Sequence, residues 1–363
     1  MKELCREIRR SPMLWLLIFV PGVLAMQKLS PQAHTPLFVL SVLAIVPLAA
    51  LLSHATESVA EKTGDAAGGL LNATLGNLTE LVIALAALRA GEYMLVKASI
   101  AGAIVTNTLF VLGISFLSGG LKHHVQEYNR VSARLQAGLL FLATVALLVP
   151  SAVTPVDTAA TAFTQKLSVC LSVLLIAAYG LGMLFSLKTH RELFVSGEHK
   201  EEGETPWPIS LALTTLAVVT VLVALVSEIF VESVQKAAET FGMTPAFVGF
   251  IVVAIVGGAA EMGSAISGAR KNRLDLSVGI ALGSASQIAL FVAPVLVLLS
   301  YVIGPTPMDL RLWPGAVVMM FIATISASLV TNSGRSAWFV GVLLLWVYSI
   351  FAITLYLLPP RPL

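Results

Sequence analysis

Long apolar segments recur along almost the whole chain and are separated by short polar connections. Most of them reach the roughly 20 residues that an α-helix needs to cross the hydrocarbon core of a bilayer. Apolar stretches of this length are typical of transmembrane helices. The pattern predicts eleven helices, near residues 13–27, 36–54, 66–90, 94–119, 131–150, 164–186, 207–231, 244–269, 275–301, 309–331 and 336–358.

The composition favours the same class of protein. The 363 residues are 57% hydrophobic and 12% charged, with a mean hydropathy of +0.90, whereas a soluble domain carries about twice that charged fraction. We therefore predict an all-α polytopic membrane protein in contact with membrane lipid. No basic stripe with interleaved aromatic residues suggests nucleic acid as a partner. Cys5 and Cys170 have neither CxxC nor zinc-site spacing, so no disulfide framework or thiol site is expected.

The first apolar segment differs from the others. It is short and is interrupted by Pro21 and Gly22. Its basic start and apolar core also fit a signal peptide. We favour a retained first helix, because the remainder of the chain is membrane-embedded.

The distribution of Lys and Arg predicts the orientation of the helices. Cytoplasmic loops carry an excess of these residues. With a cytoplasmic N-terminus, eleven helices put most of the 22 Lys and Arg on the cytoplasmic side and the C-terminus outside. The short loops favour the plasma membrane of a prokaryote. The longest connection, 188–208, is rich in Glu. Such charge runs are usually solvated linkers, and a segment that attracts cations or regulates transport is the alternative.

Without the first helix, the chain reads as five helices, the acidic linker and five more helices. GNLTE (76–80) resembles GGAAE (257–261), and GAIVTNTLFVLG (102–113) resembles LGSASQIALFVAP (282–294). Because each half has an odd number of helices, the two halves would cross the membrane in opposite directions, as in secondary transporters. Generic similarity of helix hairpins is the alternative. The expected division is an N-terminus and extra helix at 1–35, a first repeat at 36–187, a linker at 188–207 and a second repeat at 208–363.

Each repeat carries one glutamate inside an apolar segment, Glu80 and Glu261. A carboxylate at the bilayer centre costs about 2.5–3.5 kcal/mol unless it is neutralised. No Lys or Arg lies within 71–88, and the helix of Glu261 has none before Arg270. We therefore expect protons, a bound cation or a partner from another helix to neutralise the two carboxylates.

The two glutamates, with nearby carbonyl and amide oxygens, form a ligand set that suits a hard cation. Ca²⁺ takes 6–8 oxygen ligands, and the absence of Cys and His from these two helices argues against zinc or copper. Gly69, Gly76 and Glu80 are expected on one helical face, as are Gly257 and Glu261. The glycines would leave carbonyls accessible, or would simply allow close helix packing.

This pair of carboxylates suggests exchange. Protons and one divalent cation can each neutralise the pair, and the two loads compete. If only a neutralised site can reach the other side, cation movement is tied to proton movement in the opposite direction. The residues thus predict a proton-coupled cation antiporter that works by alternating access.

The sequence resembles the cation/proton exchanger (CAX) branch of the calcium/cation antiporter superfamily. LNATLGNLTELVIALAAL (71–88) is similar to its first signature, and LDLSVGIALGSASQIALFVAPVLVL (274–298) to the stretch that follows its second. The resemblance implies eleven helices, the first outside the inverted-repeat core, and Ca²⁺/H⁺ antiport. It implies no cofactor beyond the transported Ca²⁺ and H⁺, and it leaves open whether the chain forms a homo-oligomer.

The resemblance also implies the residues of the metal site. Glu80 and Glu261 would be the principal ligands and the proton carriers. The further members of the site would be the polar neighbours Asn77, Asn107 and Gln287 and the carbonyls of Gly76 and Gly257.

Three positions depart from the family pattern. Gly258 stands where the second motif usually has Asn, Met262 where it has His, and Ala103 where a serine is common. A thioether is a poor partner for Ca²⁺. These departures bear on ion selectivity, and they keep exchange of Na⁺ or K⁺ for H⁺, or of Na⁺ for Ca²⁺, as alternatives.

A protein of a different class would be a cation channel with a ring of glutamates. No enzyme is expected, because no predicted span contains a nucleophile–base pair or a metal motif. Glu57, Glu228 and Glu232 lie at the ends of predicted helices, where they would either anchor the helices at the interface or line the approach of the ion.

Overall fold

The computed structural model describes residues 7–8, 11–63, 65–153, 159–193 and 207–357. Most of the N-terminal segment before the first helix, and the acidic part of the predicted linker at 194–206, lie outside the described residues. The helices are α1 (Pro12–Leu29), α2 (His34–Thr63), α3 (Asp65–Leu75), α4 (Leu78–Arg89), α5 (Tyr93–His123), α6 (Arg130–Val153), α7 (Ala159–Leu184), α8 (Ile209–Thr240), α9 (Pro245–Gly257), α10 (Ala259–Arg270), α11 (Leu274–Ser300), α12 (Pro314–Thr331) and α13 (Trp338–Leu357), and the strands are β1 (Val125–Glu127) and β2 (Arg335–Ala337).

The all-α polytopic fold predicted from the sequence is confirmed. Within the described residues, nine helices are long and apolar enough to cross a membrane, and α9 and α10 together form a tenth segment that is bent by 59°. The segment predicted near 66–90 consists of α3 and α4, which are 11 and 12 residues long. That this pair makes an eleventh crossing stays a prediction.

The sequence predicts one continuous helix through each glutamate, and this prediction is wrong in both repeats. Gly76 and Asn77 separate α3 from α4, and Gly258 separates α9 from α10. Glycine has no Cβ and asparagine competes for backbone hydrogen bonds, so both residues weaken a helix at these points. The helical face expected to run from Gly69 to Glu80 is therefore interrupted. Glu80 lies in the first turn of α4 instead of in the middle of a span.

The long helices α2 and α8 pack against each other in opposite directions. Near the start of α2, Phe38 stacks on Phe230 with a centroid distance of 5.4 Å, and His34 Nε2 lies 3.0 Å from Lys236 Nζ. Near the end of α2, the Ser58 hydroxyl accepts a hydrogen bond of 3.4 Å from the backbone N–H of Trp207, just before α8. This arrangement is what two oppositely inserted halves require.

The connections between helices gather at two ends of the bundle. At the end that we call the inner end, β1 pairs antiparallel with β2, and Gln126 Nε2 donates 2.9 Å hydrogen bonds to Asn272 Oδ1 and the Ala269 carbonyl. At the opposite, outer end, Gln235 donates to Glu92 at 2.6 Å. The inner end holds loops that the charge distribution assigns to the cytoplasm, so the alternation of the loops agrees with the predicted topology.

Candidate functional site

The two helix breaks face each other in the interior of the bundle. The side chain of Glu80 lies over the second break: a Cβ built on Gly257 would be 3.1 Å from Glu80 Cγ, and one built on Gly258 would be 3.7 Å from Glu80 Oε1. In the first break, a Cβ built on Gly76 would lie 3.5 Å from Gln287 Oε1. The absence of a side chain at these glycines thus makes room for the polar groups of the other repeat.

A chain of hydrogen bonds links the amide side chains at the site. Asn107 Nδ2 donates to Ser284 Oγ at 2.9 Å, and Ser284 Oγ donates to Asn77 Oδ1 at 2.7 Å. Asn77 Nδ2 in turn donates to Gln287 Oε1 at 2.5 Å. Asn77, Asn107 and Ser284 are buried, so these bonds hold the amide groups in fixed orientations.

Two π-helical turns lie beside this chain. Asn107 belongs to the turn Thr106–Val111 in α5, and Gln287 directly precedes the turn Ile288–Val292 in α11. Such turns often occur at functional sites, because the extra residue per turn redirects side chains. In this protein they adjoin the two amides at matching places of the two halves.

Glu261 completes the site from the second half. Its carboxylate lies next to the Ser284 hydroxyl and within electrostatic range of the carboxylates of Glu80 and Glu57. Oε2 of Glu261 is buried and has no hydrogen-bond partner among the residues that the structure describes. A buried carboxylate oxygen in this position calls for a proton or a cation.

The oxygen atoms at the site fit the expected ligand set. In the described part of the chain, no group of three or more His, Cys, Asp and Glu side chains could hold a metal ion. A bound cation would therefore rely on the two carboxylates together with neutral amide, hydroxyl and carbonyl oxygens. Ca²⁺ accepts such mixed oxygen ligands.

The site is more open towards the inner end than towards the outer end. On the inner side, Gly263, Ser264 and Ser267 of α10 and Asn72 of α3 are exposed. On the outer side, every residue of α4 from Leu78 to Leu88 is buried or half-buried, as is every residue of α9 after Pro245.

Close packing of α5 against α9 closes the outer half. A Cβ on Gly102 would lie 2.1 Å from the carbonyl oxygen of Phe250, and a Cβ on Gly249 would lie 2.6 Å from the Cβ of Ala98. The two helices touch through their backbones at these glycines. This leaves no room for an ion between them.

The structure brings together all the residues that the sequence suggested for the metal site. The contacts described above connect all seven residues, which are Gly76, Asn77, Glu80, Asn107, Gly257, Glu261 and Gln287.

Ser284 is the member of this cluster that sequence reasoning missed. It follows Glu261 at the same distance along the chain as Ala103 follows Glu80. Because a serine is common at the position of Ala103 in the resembling family, this correspondence between the two halves could have identified Ser284.

The other acidic residues named from the sequence, and Met262, which departs from the family pattern, lie in different surroundings. At the outer end, Glu228 pairs with Arg89 at 3.4 Å, and Glu232 accepts a hydrogen bond of 3.0 Å from Gln27. Of these three acids, Glu57 is the one whose carboxylate lies within electrostatic range of Glu261. Met262 is half-buried and packs against the hydrophobic core. Its thioether thus makes apolar contacts at the position where the family usually has a polar His side chain.

Comparisons with known proteins agree with this architecture. The family model described as sodium/calcium exchanger protein matches residues 33–188 and 211–357. The chain is 39% identical over 362 residues to a Ca(2+)/H(+) antiporter of Aphanothece halophytica, with 96% of each chain covered. It is 40% identical over 347 residues to the Ca(2+)/H(+) antiporter ChaA of Bacillus subtilis, with 94% of this chain and 98% of that protein covered.

Among solved structures, native YfkE superposes with a TM-score of 0.83 at 37% identity, over 96% of this chain and 100% of that one. The resemblance inferred from the two glutamate signatures is thus confirmed. The chain belongs to the sodium/calcium exchanger protein family and, within it, to the cation/proton exchanger branch.

Proposed function

We propose that this protein exchanges Ca²⁺ for H⁺ across a membrane by alternating access. The observation that carries the proposal is the position of Glu80, which belongs to one broken helix and rests on the break of the other, next to Glu261. Two carboxylates from opposed halves thereby share one interior site. The names of the relatives, which are Ca(2+)/H(+) antiporters, support Ca²⁺ and H⁺ as the two loads.

In this proposal Glu80 and Glu261 bind either one Ca²⁺ or protons. Two nearby carboxylates attract a divalent cation, and protonation removes the charge that attracts it. The carbonyls of Gly76 and Gly257 and the amides of Asn77, Asn107 and Gln287 are proposed to complete the cation site. Ser284, placed between Asn77 and Asn107, is proposed to hold those amides in orientation.

The proposal includes the division into two inverted repeats, 36–187 and 208–363, after an extra helix at 1–35 and joined by the linker 188–207. The two separate matches of the family model, 33–188 and 211–357, support this division. The excess of Lys and Arg in the loops of the inner end supports a cytoplasmic inner end. Bacterial relatives support the plasma membrane as the location.

We also propose that the structure represents the state in which the site is reached from the inner end. The exposed small and polar residues of α10, such as Ser264, would line the route to Glu261, and Glu57 would lie beside it. Closure of this route and separation of α5 from α9 would expose the site to the outer end. Neutralisation of the two carboxylates would allow this change, because an unpaired charge is costly in a closed, dry site.

Reconstitution of the purified full chain into lipid vesicles tests the function. A pH gradient is imposed and the uptake of radioactive Ca²⁺ is followed, with Glu80→Gln, Glu261→Gln and the double variant as test proteins. We expect uptake driven by the proton gradient in the unmodified protein and none in the variants. Glu239→Gln, an exposed change at the outer end, is the matched control and should transport normally.

Two results would contradict the proposal. Ca²⁺ flux that does not depend on the pH gradient and does not move protons would indicate a channel. Uptake that survives in the double glutamate variant would show that the ion does not use this site.

A further inference from the structure

A groove on the exposed surface of the bundle lies between the start of α6 and the end of α7. Its volume is about 730 Å³. The residues that carry the argument are Arg130, Arg134, Gly138 and Leu139 of α6, together with Phe185 and Leu193. Asn129 Nδ2 donates a 2.9 Å hydrogen bond to the Leu193 carbonyl, which ties the end of the groove to the start of α6.

The groove has a basic mouth and an apolar floor. Arg130 begins α6 at the inner end, and Arg134 follows one turn later on the same face. Gly138 and Leu139 lie about 12 Å from Arg130 along the helix axis, further from the inner end, given a rise of about 1.5 Å per residue. This order of positive charge at the surface and apolar lining below matches the order of groups in a phospholipid with a negatively charged headgroup.

The two arginines have donors to offer to such a headgroup. Arg130 Nη2 donates to Asn332 Oδ1 at 3.3 Å, which uses one of the five N–H groups of its guanidinium. Arg134 is exposed, and within the described part of the chain it forms no ion pair. Guanidinium groups bind phosphate oxygens in a forked geometry. The inner end is also the one whose loops are rich in Lys and Arg, and acidic lipids of the cytoplasmic leaflet attract such regions.

We propose that this groove binds one acidic phospholipid, with its phosphate on Arg130 and Arg134 and an acyl chain along Gly138 and Leu139. The proposal does not depend on which ions the protein transports. A lipid in this position would bridge the start of α6 and the end of α7, and would stabilise the packing of the two helices at the inner end.

Gly138 offers a way to fill the groove without disturbing the fold. A Cβ built there meets no atom within 4 Å, so Gly138→Leu can place its side chain in the groove while all charges are retained. Gly180 of α7 is a matched control, because it is also exposed and a Cβ there also meets no atom within 4 Å. Gly180 does not line the groove.

Native mass spectrometry of the full chain in detergent tests the proposal. The protein is titrated with dioleoyl phosphatidylglycerol, and separately with the phosphatidylcholine that has the same acyl chains. We expect preferential binding of one phosphatidylglycerol, about 25-fold weaker in the Arg130→Gln/Arg134→Gln double variant, since each arginine contributes about five-fold. Gly138→Leu should also weaken binding, whereas Gly180→Leu and the double variant Arg270→Gln/Lys271→Gln should not. The last pair removes two exposed charges at the same end.

Several outcomes would overturn the proposal. They are equal binding of the two lipids, unchanged binding in the Arg130→Gln/Arg134→Gln variant, and an equal loss in the Arg270→Gln/Lys271→Gln variant. Displacement of the lipid by millimolar inorganic phosphate would show a simple anion site instead. If the Arg130→Gln/Arg134→Gln variant does not give a monodisperse protein, the single variant Arg134→Gln decides, with an expected loss of lipid affinity of about five-fold.

Discussion

The side chain of Glu80 rests on Gly257, so that the acidic residue of one broken helix lies against the break of the other. A Cβ on Gly257 would be 3.1 Å from Glu80 Cγ and 3.6 Å from Glu80 Oε1. The distance to Cγ is tighter than ordinary van der Waals contact, so a side chain at Gly257 would require the side chain of Glu80 to shift. The contact makes the position of Glu80 depend on the second half of the protein.

Gly257→Ala is therefore expected to weaken Ca²⁺ binding while the protein still folds. The added methyl group would displace Glu80 at a cost of about 1–3 kcal/mol, which corresponds to roughly a 5- to 150-fold loss of apparent affinity. The concentration dependence of Ca²⁺ uptake in vesicles measures the effect. Gly263→Ala is the control, because a Cβ at Gly263 meets no atom within 4 Å. Equal affinities of the two variants would argue against the role of the Glu80 contact.

Ser284→Ala is expected to lower Ca²⁺ affinity by about ten-fold, since it removes the donor to Oδ1 of buried Asn77 and the acceptor for Nδ2 of buried Asn107. Isothermal calorimetry with the purified protein, or the half-saturating Ca²⁺ concentration for uptake, gives the change. Ser286 lies two residues further along α11 and donates instead to the Gln136 carbonyl at 3.2 Å. If Ser286→Ala lowers the affinity as much as Ser284→Ala does, Ser284 has no special part in the site.

Gly102 and Gly283 test whether the two halves alternate between tight and loose packing, which we call the exchange of packing. They follow Glu80 and Glu261 at the same distance along the chain, yet a Cβ on Gly102 would lie 2.1 Å from the Phe250 carbonyl, whereas one on Gly283 meets no atom within 4 Å. If the transport cycle closes the inner half in the way that the outer half is closed in this structure, Gly283 would then be packed as tightly as Gly102 is here.

Gly283→Leu should thus fold with an unchanged unfolding temperature but transport roughly ten-fold more slowly or worse, because the inner half cannot close. Gly102→Leu should instead lower the unfolding temperature, because it forces α5 and α9 apart. Thermal unfolding in detergent and Ca²⁺ uptake in vesicles distinguish the two effects. A Gly283→Leu protein with normal transport would refute the exchange of packing.

Accessibility of α10 from the inner end can be measured with cysteine labelling. In a background that carries Cys5→Ser and Cys170→Ser, Ser264→Cys is expected to react with a membrane-impermeant thiol reagent applied to the inner side. Val253→Cys in the buried outer half, where Val253 is 4% exposed, should not react from either side. Labelling of Ser264→Cys only from the outer side would show that the predicted orientation or the open route is wrong.

The ion pair between Lys97 and Asp309 is expected to contribute to stability near the outer end. Their charged atoms are 2.5 Å apart, and both side chains are largely buried. Lys97→Met should destabilise the protein by about 3–5 kcal/mol, because it leaves a buried carboxylate unpaired. The double variant Lys97→Met/Asp309→Leu should recover most of this loss. Thermal unfolding measures both, and Lys166→Met, an exposed change, is the control. No recovery in the double variant would contradict this explanation.

Much of the fold could be predicted because the bilayer imposes simple rules on sequence. A span needs about 20 apolar residues with their backbone groups bonded internally, so hydropathy alone identifies most helices. The helices predicted near 36–54 and 336–358 correspond to His34–Thr63 and Trp338–Leu357, although the first of them continues about nine residues beyond its predicted end. Glu80 and Glu261 were also evident from the sequence, because charges inside apolar segments are rare and point to function.

The breaks in the two central helices were not predicted. Hydropathy does not distinguish one helix through 66–90 from two short helices with Gly76 and Asn77 between them, since both bury the same apolar residues. A break is tolerated within a membrane only where other parts of the protein surround it. Whether such surroundings exist depends on the packing of the remaining helices.

The sequence by itself determined that this is a helical membrane protein with one acid inside an apolar segment of each half and a family resemblance carried by the residues around them. Only the tertiary structure decided that Glu80 lies on Gly257, that Ser284 joins Asn107 to Asn77, and that α5 packs tightly on α9 in the outer half while small residues of α10 are exposed at the inner side. The physical reason is that hydropathy and local spacing act within one helix. These contacts arise between helices that are far apart in the chain.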